Sequence, residues 1–316
     1  MIWNPRLVRS AALAAFATIL GAGVAAAQDD PFTICVVHNN ADHPSITAIV
    51  NGMNDESKIY GGEVTYFDPA FDPQKQASMV EDCIARSPSV IVVNAVDPAA
   101  VVQVLKKASE AGIPVVMQNA NTNKEGQAYT KTFVGSQSYD QGYAVGKMIV
   151  KATGGKGKMV MITGKPGQFD VVQRAEGVKQ AFADDGADIE ILAEEPADWS
   201  KDKALTVMQD LLTRYPDIDI VFGQDDPMAL GALQAIKANG IEGIKVFGVN
   251  GNKDACDAIK AGDMYGTAMQ LSYMVGVYTV RVAYDLYKDR QVPSEMLAPT
   301  APVTPENVDA LYDQCW

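Results

Sequence analysis

The chain has 316 residues, 47% of them hydrophobic, with a formal net charge of -13 at pH 7. That size and apolar content supply a large core, while the acidity argues against nucleic acid or an anionic membrane as a partner and serves solubility.

Residues 1–27 carry Arg6 and Arg9, an apolar run over residues 11–24, and then Ala25, Ala26 and Ala27, the pattern of a secretory leader cleaved after Ala27. The run is shorter than the roughly 20 residues a membrane span needs, and Gly21 and Gly23 loosen its end, so removal is expected rather than retention as a tether. Cleavage takes away two arginines, moving the net charge from -13 to -15. It leaves about 290 residues, a length that points to two domains. No later stretch is a long uncharged apolar run, so the mature chain is expected to be soluble and monomeric.

From residue 32 onward, short runs of β-formers alternate with helical patterns, the signature of a parallel α/β sheet. Strands are expected at residues 32–38, 64–67, 90–94, 114–118 and 132–135, then at 158–163, 189–193, 218–222, 245–249 and 266–270. Ten strands in alternation suit two doubly wound halves better than one. Helix starts are marked by Asp72 with Pro73, Asp97 with Pro98, Ser138, and Asp226 with Pro227, where Asp226 is read as the cap. Gly112 ends one helix, and Asn239 with Gly240 ends another. The polar stretch between Asn119 and Lys131 reads as the boundary before the second domain. In open sheets of this kind a ligand sits beyond the carboxyl ends of the strands, so a site is sought just after each one.

Four cysteines in an exported chain could pair. Cys35, in an apolar strand, and Cys83, on a helix, are read as buried small apolar side chains. Cys256 and Cys315 lie in polar late segments, where a bridge pinning the tail and two free thiols are both open readings; connectivity is left open.

Several chemistries are missing. Gly146-Lys147 is followed by Met148 with Gln141 upstream, and Gly157-Lys158 by Met159 with Ala152 upstream, so neither is a phosphate-cradling loop. The first strand is followed by His38, Asn39, Asn40, Ala41 and Asp42 rather than a glycine-rich dinucleotide turn. His38 and His43 are the only histidines, too few for a closed transition-metal site even with Asp42 nearby, and no G-x-S-x-G elbow occurs. No cofactor and no catalytic residue is expected.

Residues 221–233, reading VFGQDDPMALGAL, are preceded by Pro196-Ala197-Asp198-Trp199 and by residues 207–212 (VMQDLL). They are followed by residues 246–251 (VFGVNG) and by Met269-Gln270. In order and spacing these resemble the ribose- and galactose-type periplasmic sugar-binding proteins of ABC importers, and residues 92–94 with Asp97 and residues 111–116 extend the resemblance over nearly the whole mature chain. It implies an α/β fold of two doubly wound parallel-sheet domains joined by a three-stranded hinge, closing on a ligand held between them. On that basis one lobe takes residues 28–133 plus 271–298, and the other residues 134–270 plus 299–316. The crossings are then expected near residues 133–135, 270–272 and 297–302.

Carried over by position, Arg174 matches an arginine that donates to sugar hydroxyls, Trp199 an aromatic lying against the sugar's apolar face, and Asp225 an acceptor from hydroxyls. Gln270 matches a ligand-bonding residue at a crossing. Asn250 stands where relatives commonly carry Asp, and Asn119-Ala120 where they carry an Asp-Arg pair. His43 and Ser45 occupy the stretch where relatives place adjacent aromatics, so a single large aromatic is expected in the pocket. The resemblance thus implies a periplasmic protein that takes a small neutral sugar or polyol and delivers it to the membrane permease of an ABC importer. Presentation of the closed form to a chemoreceptor or sensor kinase is also compatible, and an enzyme acting on a small polyhydroxylated substrate is the alternative. A sugar-responsive repressor is excluded, because such proteins begin with a basic DNA-binding headpiece.

Overall fold

Side-chain alternation along the first strand sets the layering. In β1 (Thr33–Val37), Ile34 and Val36 pack under α1 (Pro44–Ile59), whereas Cys35 and Val37 face the other way, toward α2 (Pro73–Arg86). The computed structural model describes residues 30–316; the leader expected at residues 1–27 lies outside them.

β1 is followed by β2 (Glu63–Phe67), β3 (Val90–Val93), β4 (Val115–Gln118) and β5 (Thr132–Gly135), with α3 (Val102–Glu110) and the short α4 (Lys124–Gln127) between the later strands. The next strands are β6 (Lys156–Thr163), β7 (Asp188–Pro196), β8 (Ile220–Gly223), β9 (Lys245–Asn250) and β10 (Gly266–Gln270). They alternate with α5 (Ser138–Thr153), α6 (Phe169–Asp184), α7 (Lys201–Arg214), α8 (Asp226–Ala238) and α9 (Lys253–Lys260). The chain closes with α10 (Ser272–Tyr287), β11 (Glu295–Leu297), β12 (Thr300–Val303) and α11 (Val308–Leu311).

Two six-stranded sheets result, in the orders β11-β5-β4-β3-β1-β2 and β12-β10-β9-β8-β6-β7. All pairs are parallel except β10 with β12. Helices α1 and α10 cover one face of the first sheet and α2 and α3 the other; α7, α8 and α9 cover one face of the second, and α5 and α6 the other. Burial on both faces is why β3 reads Val-Ile-Val-Val with no polar residue. The chain passes between the sheets three times, after β5, after β10 and between β11 and β12. Among the described residues, no helix is long and apolar enough to cross a membrane.

Several expectations are revised. The polar stretch at 119–131 carries α4 and returns the chain to the first sheet as β5, so passage to the second sheet comes after Gly135. Asp97 caps only a turn, accepting from the backbone N–H groups of Ala99 and Ala100, and α3 begins five residues later. β11 and β12 went unread because they are short, half-exposed edge strands without alternation, one of them containing Pro302. Cys35 and Cys83 are bonded: Cys35 lies on the α2 face of β1, where Cys83 is buried, and their Cα atoms are 5.8 Å apart. Cys256 of α9 is bonded to Cys315.

Candidate ligand-binding site

The loops after the strand ends of both sheets meet at one cleft. All eight residues singled out from the sequence line it: His43, Ser45 and Asn119 from the first sheet's side, and Arg174, Trp199, Asp225, Asn250 and Gln270 from the second's. Asn39, Ile46, Phe71 and Asp170 complete it. Asn39 lies two residues after the end of β1, and Asp170 precedes Arg174 by one helical turn, so both carried a positional signal. Phe71 carried none.

Arg174 is only 6% exposed and is held by the protein's own groups. Its Nε donates to Gln141 Oε1 at 2.9 Å, Nη1 donates to the carbonyl of Gln224, and the guanidinium lies 5.5 Å from the centre of the Trp199 ring. The helix carrying it is fixed by close approach: a Cβ on Gly142 of α5 would come within 2.1 Å of the Arg174 carbonyl oxygen, and one on Gly177 within 2.1 Å of that of Tyr139. Burial lowers the Arg174 pKa, an effect opposed by Asp170, Asp225 and Asp226. Asp170 accepts from Ser138 Oγ at 2.7 Å; burial raises its pKa, against the pull of Arg174.

The cap of α8 falls to Asp225, which also lines the cleft, and not to Asp226. Asp225 is the N-cap of α8, its Oδ1 accepting from the Met228 N–H at 2.8 Å, while its Oδ2 meets His43 Nε2 at 2.9 Å. Asp226, expected to cap, is buried: its Oδ2 accepts from the N–H groups of Gly251 (2.7 Å) and Asn252 (2.8 Å), and its Oδ1 from Thr267 Oγ1 at 2.7 Å. Asp226 therefore ties α8 to the loop after β9 and fixes Asn250. Burial raises its pKa to about 7 despite those three donors. With Pro227 in the first turn, the sequence marks where the helix starts but not which of two adjacent carboxylates faces the end of the strand.

His43 caps α1, and its Nδ1 accepts from the Ser45 N–H at 3.2 Å and lies 2.7 Å from Ser45 Oγ. An accepting Nδ1 puts the proton on Nε2, which then donates to Asp225. Gln270, at the second passage between sheets, donates to Asn119 Oδ1 at 2.9 Å and to Ser272 Oγ at 3.1 Å, and accepts from Gln141 Nε2 at 2.9 Å. Its backbone carbonyl accepts from Trp316 Nε1 at 2.8 Å.

The pocket has two rings, not the single one expected. Phe71, from the loop after β2, lies on the first sheet's side and Trp199 on the second's. Phe71 (φ 61°), Asn119 (φ 61°), Trp199 (φ 62°) and Asn250 (φ 125°) all have left-handed backbone, uncommon for such residues. The site thus offers one guanidinium, two carboxylates, several amides and a hydroxyl between aromatic walls, a set suited to hydroxyl-rich molecules. Among the described residues no group of three or more His, Cys, Asp or Glu side chains could hold a metal ion.

A family model described as "periplasmic binding protein domain" matches residues 34–291. The ribose import binding protein of Salmonella typhimurium is 31% identical over 88% of this chain and 93% of its own length. A xylitol-binding protein of Mycolicibacterium smegmatis is 30% identical over 94% of this chain and 84% of its own. The structure of an ABC transporter solute-binding protein from Bacillus halodurans with bound myo-inositol superposes with a TM-score of 0.85 at 27% identity, covering 91% of this chain and 99% of that one. With the fold, the cleft and these matches in agreement, the chain belongs to the periplasmic binding protein family, in its ribose/galactose sugar-binding branch.

Proposed function

We propose that this protein is the exported solute-binding component of an ABC importer, capturing a small neutral sugar or polyol in the cleft and passing it to a membrane permease. One lobe is built on each sheet, the three passages between them act as the hinge, and the leader is removed after Ala27 to leave the chain in the periplasm. The observation that carries this reading is the cleft itself: both sheets contribute to it, so a ligand touching Asn119 and Phe71 on one side and Arg174 and Trp199 on the other stabilises closure. Asp170 and Asp225 outnumber Arg174, which disfavours anionic ligands. Relatives named for ribose import and for xylitol binding, and a neighbour with bound myo-inositol, mark the chemical range, and a cleft with two aromatic walls fits it.

A second reading rests on one contact. The chain Ser45 Oγ, His43, Asp225 has the connectivity of a hydroxyl activated by a base, which an enzyme acting on a polyhydroxylated substrate could use. A single experiment addresses both. The protein is screened by thermal shift against pentoses, hexoses, pentitols, hexitols and inositols, with amino acids and nucleosides as controls, and the bound molecule is recovered and identified. A stabilising sugar or polyol returned unchanged supports the binding protein; a transformed one supports the enzyme, and a response to controls alone defeats both.

A further inference from the structure

The loop between β6 and α6, residues 164–168, touches both aromatic walls of the cleft without itself forming part of its lining. At one end, the Trp199 indole packs against Gly164, so close that a Cβ there would come within 2.0 Å of the ring. Next, Lys165 reaches out of the second sheet's side and sets its Nζ 4.5 Å from the centre of the Phe71 ring on the first. At the other end, Gln168 occupies the N-cap position of α6 but makes no side-chain capping bond. Its amide is used otherwise: Oε1 accepts from Trp199 Nε1 at 2.6 Å, and Nε2 donates to the carbonyl of Val96 at 3.2 Å. Val96 follows β3, in the first sheet.

A residue placed for capping yet turned away from it, buried to 9% exposure and bonded at both ends, is a link. We propose that Gln168 is a positioning residue for capture, holding Trp199 in place with one end of its amide and the opposite lobe with the other, so that ring placement and cleft closure occur together. Lys165 over Phe71 is the second strand of the same strap. The inference rests on the two lobes moving against one another as proposed above, and not on which sugar or polyol is bound.

The test needs no ligand. Trp3→Phe and Trp316→Phe in the full chain leave Trp199 as the only tryptophan, so its emission and acrylamide quenching report the ring, while small-angle scattering reports lobe separation. Gln168→Glu keeps an acceptor for the indole but turns a carboxylate oxygen toward the Val96 carbonyl; it should widen the molecule and, as the opened cleft uncovers the Trp199 wall, raise quenching, by less than Gln168→Ala does because the indole bond is kept. Gln168→Ala loses both bonds and should widen the molecule, shift emission to the red and raise quenching. Loss of one net hydrogen bond across the cleft corresponds to about fivefold more of the open form. Circular dichroism of each variant establishes that it is folded, and should Gln168→Ala not fold, Gln168→Glu decides alone. Scattering identical to the parent in Gln168→Glu, or unchanged quenching in a folded Gln168→Ala, overturns the proposal. If both variants behave as expected and no sugar or polyol binds the parent, the coupling stands and the ligand assignment falls.

Discussion

Replacing Asp226 by asparagine removes a buried titrating group while keeping its shape. In Asp226→Asn the side-chain carbonyl oxygen can still accept from the Gly251 and Asn252 N–H groups, and Thr267 Oγ1 can turn to accept from the new amide. In the parent, burial raises the carboxyl from 3.8 to about 7. The native state therefore holds a proton that the unfolded chain gives up between those two values. The stability this provides is fully present below about pH 3.8, is lost as the pH rises toward 7, and stays lost above it, where both states are ionised. Between pH 5 and pH 8 the parent should lose about 2–3 kcal/mol that the asparagine variant does not. For a lobe of this size that is roughly 5–10 °C in melting temperature. Calorimetric scans of both proteins at pH 5, 6, 7 and 8 cancel every other titrating group in the difference. The variant should already lead the parent at pH 5, since the parent's advantage is full only below about pH 3.8, and should gain on it steadily to pH 7. A difference that stays constant with pH, or grows toward acid, refutes the argument. Asp226→Ala, which strands the Gly251 and Asn252 donors, should be destabilised at every pH by about 1–3 kcal/mol for each orphaned group.

Against the ligand found by screening, Arg174→Ala and Asp225→Ala should each weaken binding about tenfold to a hundredfold by isothermal titration, the loss of a charged hydrogen-bonding partner. Asp225→Ala should in addition cost about 1 kcal/mol of stability, because the α8 cap goes with it, and parent-like affinity in both variants would remove the pocket assignment. Phe71→Ala should weaken binding about threefold to tenfold through loss of the second ring, and no change would return the pocket to a single aromatic wall. Gly164→Ala should lower affinity with little change in melting temperature, since its methyl group must push the Trp199 ring aside; equal affinity would mean the ring need not lie where it does. Replacing Cys256 and Cys315 together by alanine opens a loop whose ends are 59 residues apart. Chain entropy makes that a loss of about 4 kcal/mol in urea unfolding, and an unchanged midpoint would show that the tail is held without its bridge.

Much of the fold was legible because parallel strands buried on both faces write themselves as apolar runs: β1, β3, β4, β8 and β9 all fell where hydrophobicity and β-branching placed them. The site was legible through the family resemblance: Arg174, Trp199, Asp225, Asn250 and Gln270 were carried over by position, and all but Arg174, which lies inside α6, sit at or just after strand ends. Sequence does not say which face of a strand meets which helix, so Cys35 was not matched to Cys83 although both were read as buried. It placed Asp225 in the cleft but gave the α8 cap to Asp226, because backbone rotation at a cap decides which carboxylate bonds the first turn. Phe71 escaped because it sits in an irregular turn, where neither period two nor period 3.6 applies and its placement depends on the left-handed turn at Ala70 and Phe71.

Phe71, Asn119, Trp199 and Asn250 line the cleft from backbone positions that glycine would occupy at no steric cost. Selection for a sturdier chain and selection for capture therefore pull in opposite directions at these four places. A population of variants chosen only for heat resistance should drift toward glycine there, becoming harder to unfold and unable to hold cargo. Attempts to retune specificity meet the same constraint: β-branched residues are the worst choices at these positions, and the useful alphabet is short. The versatility of the scaffold lies instead at lining positions with ordinary backbone, such as Ser45, Ile46 and Asp170, where a side chain can be exchanged without reshaping the chain that carries it.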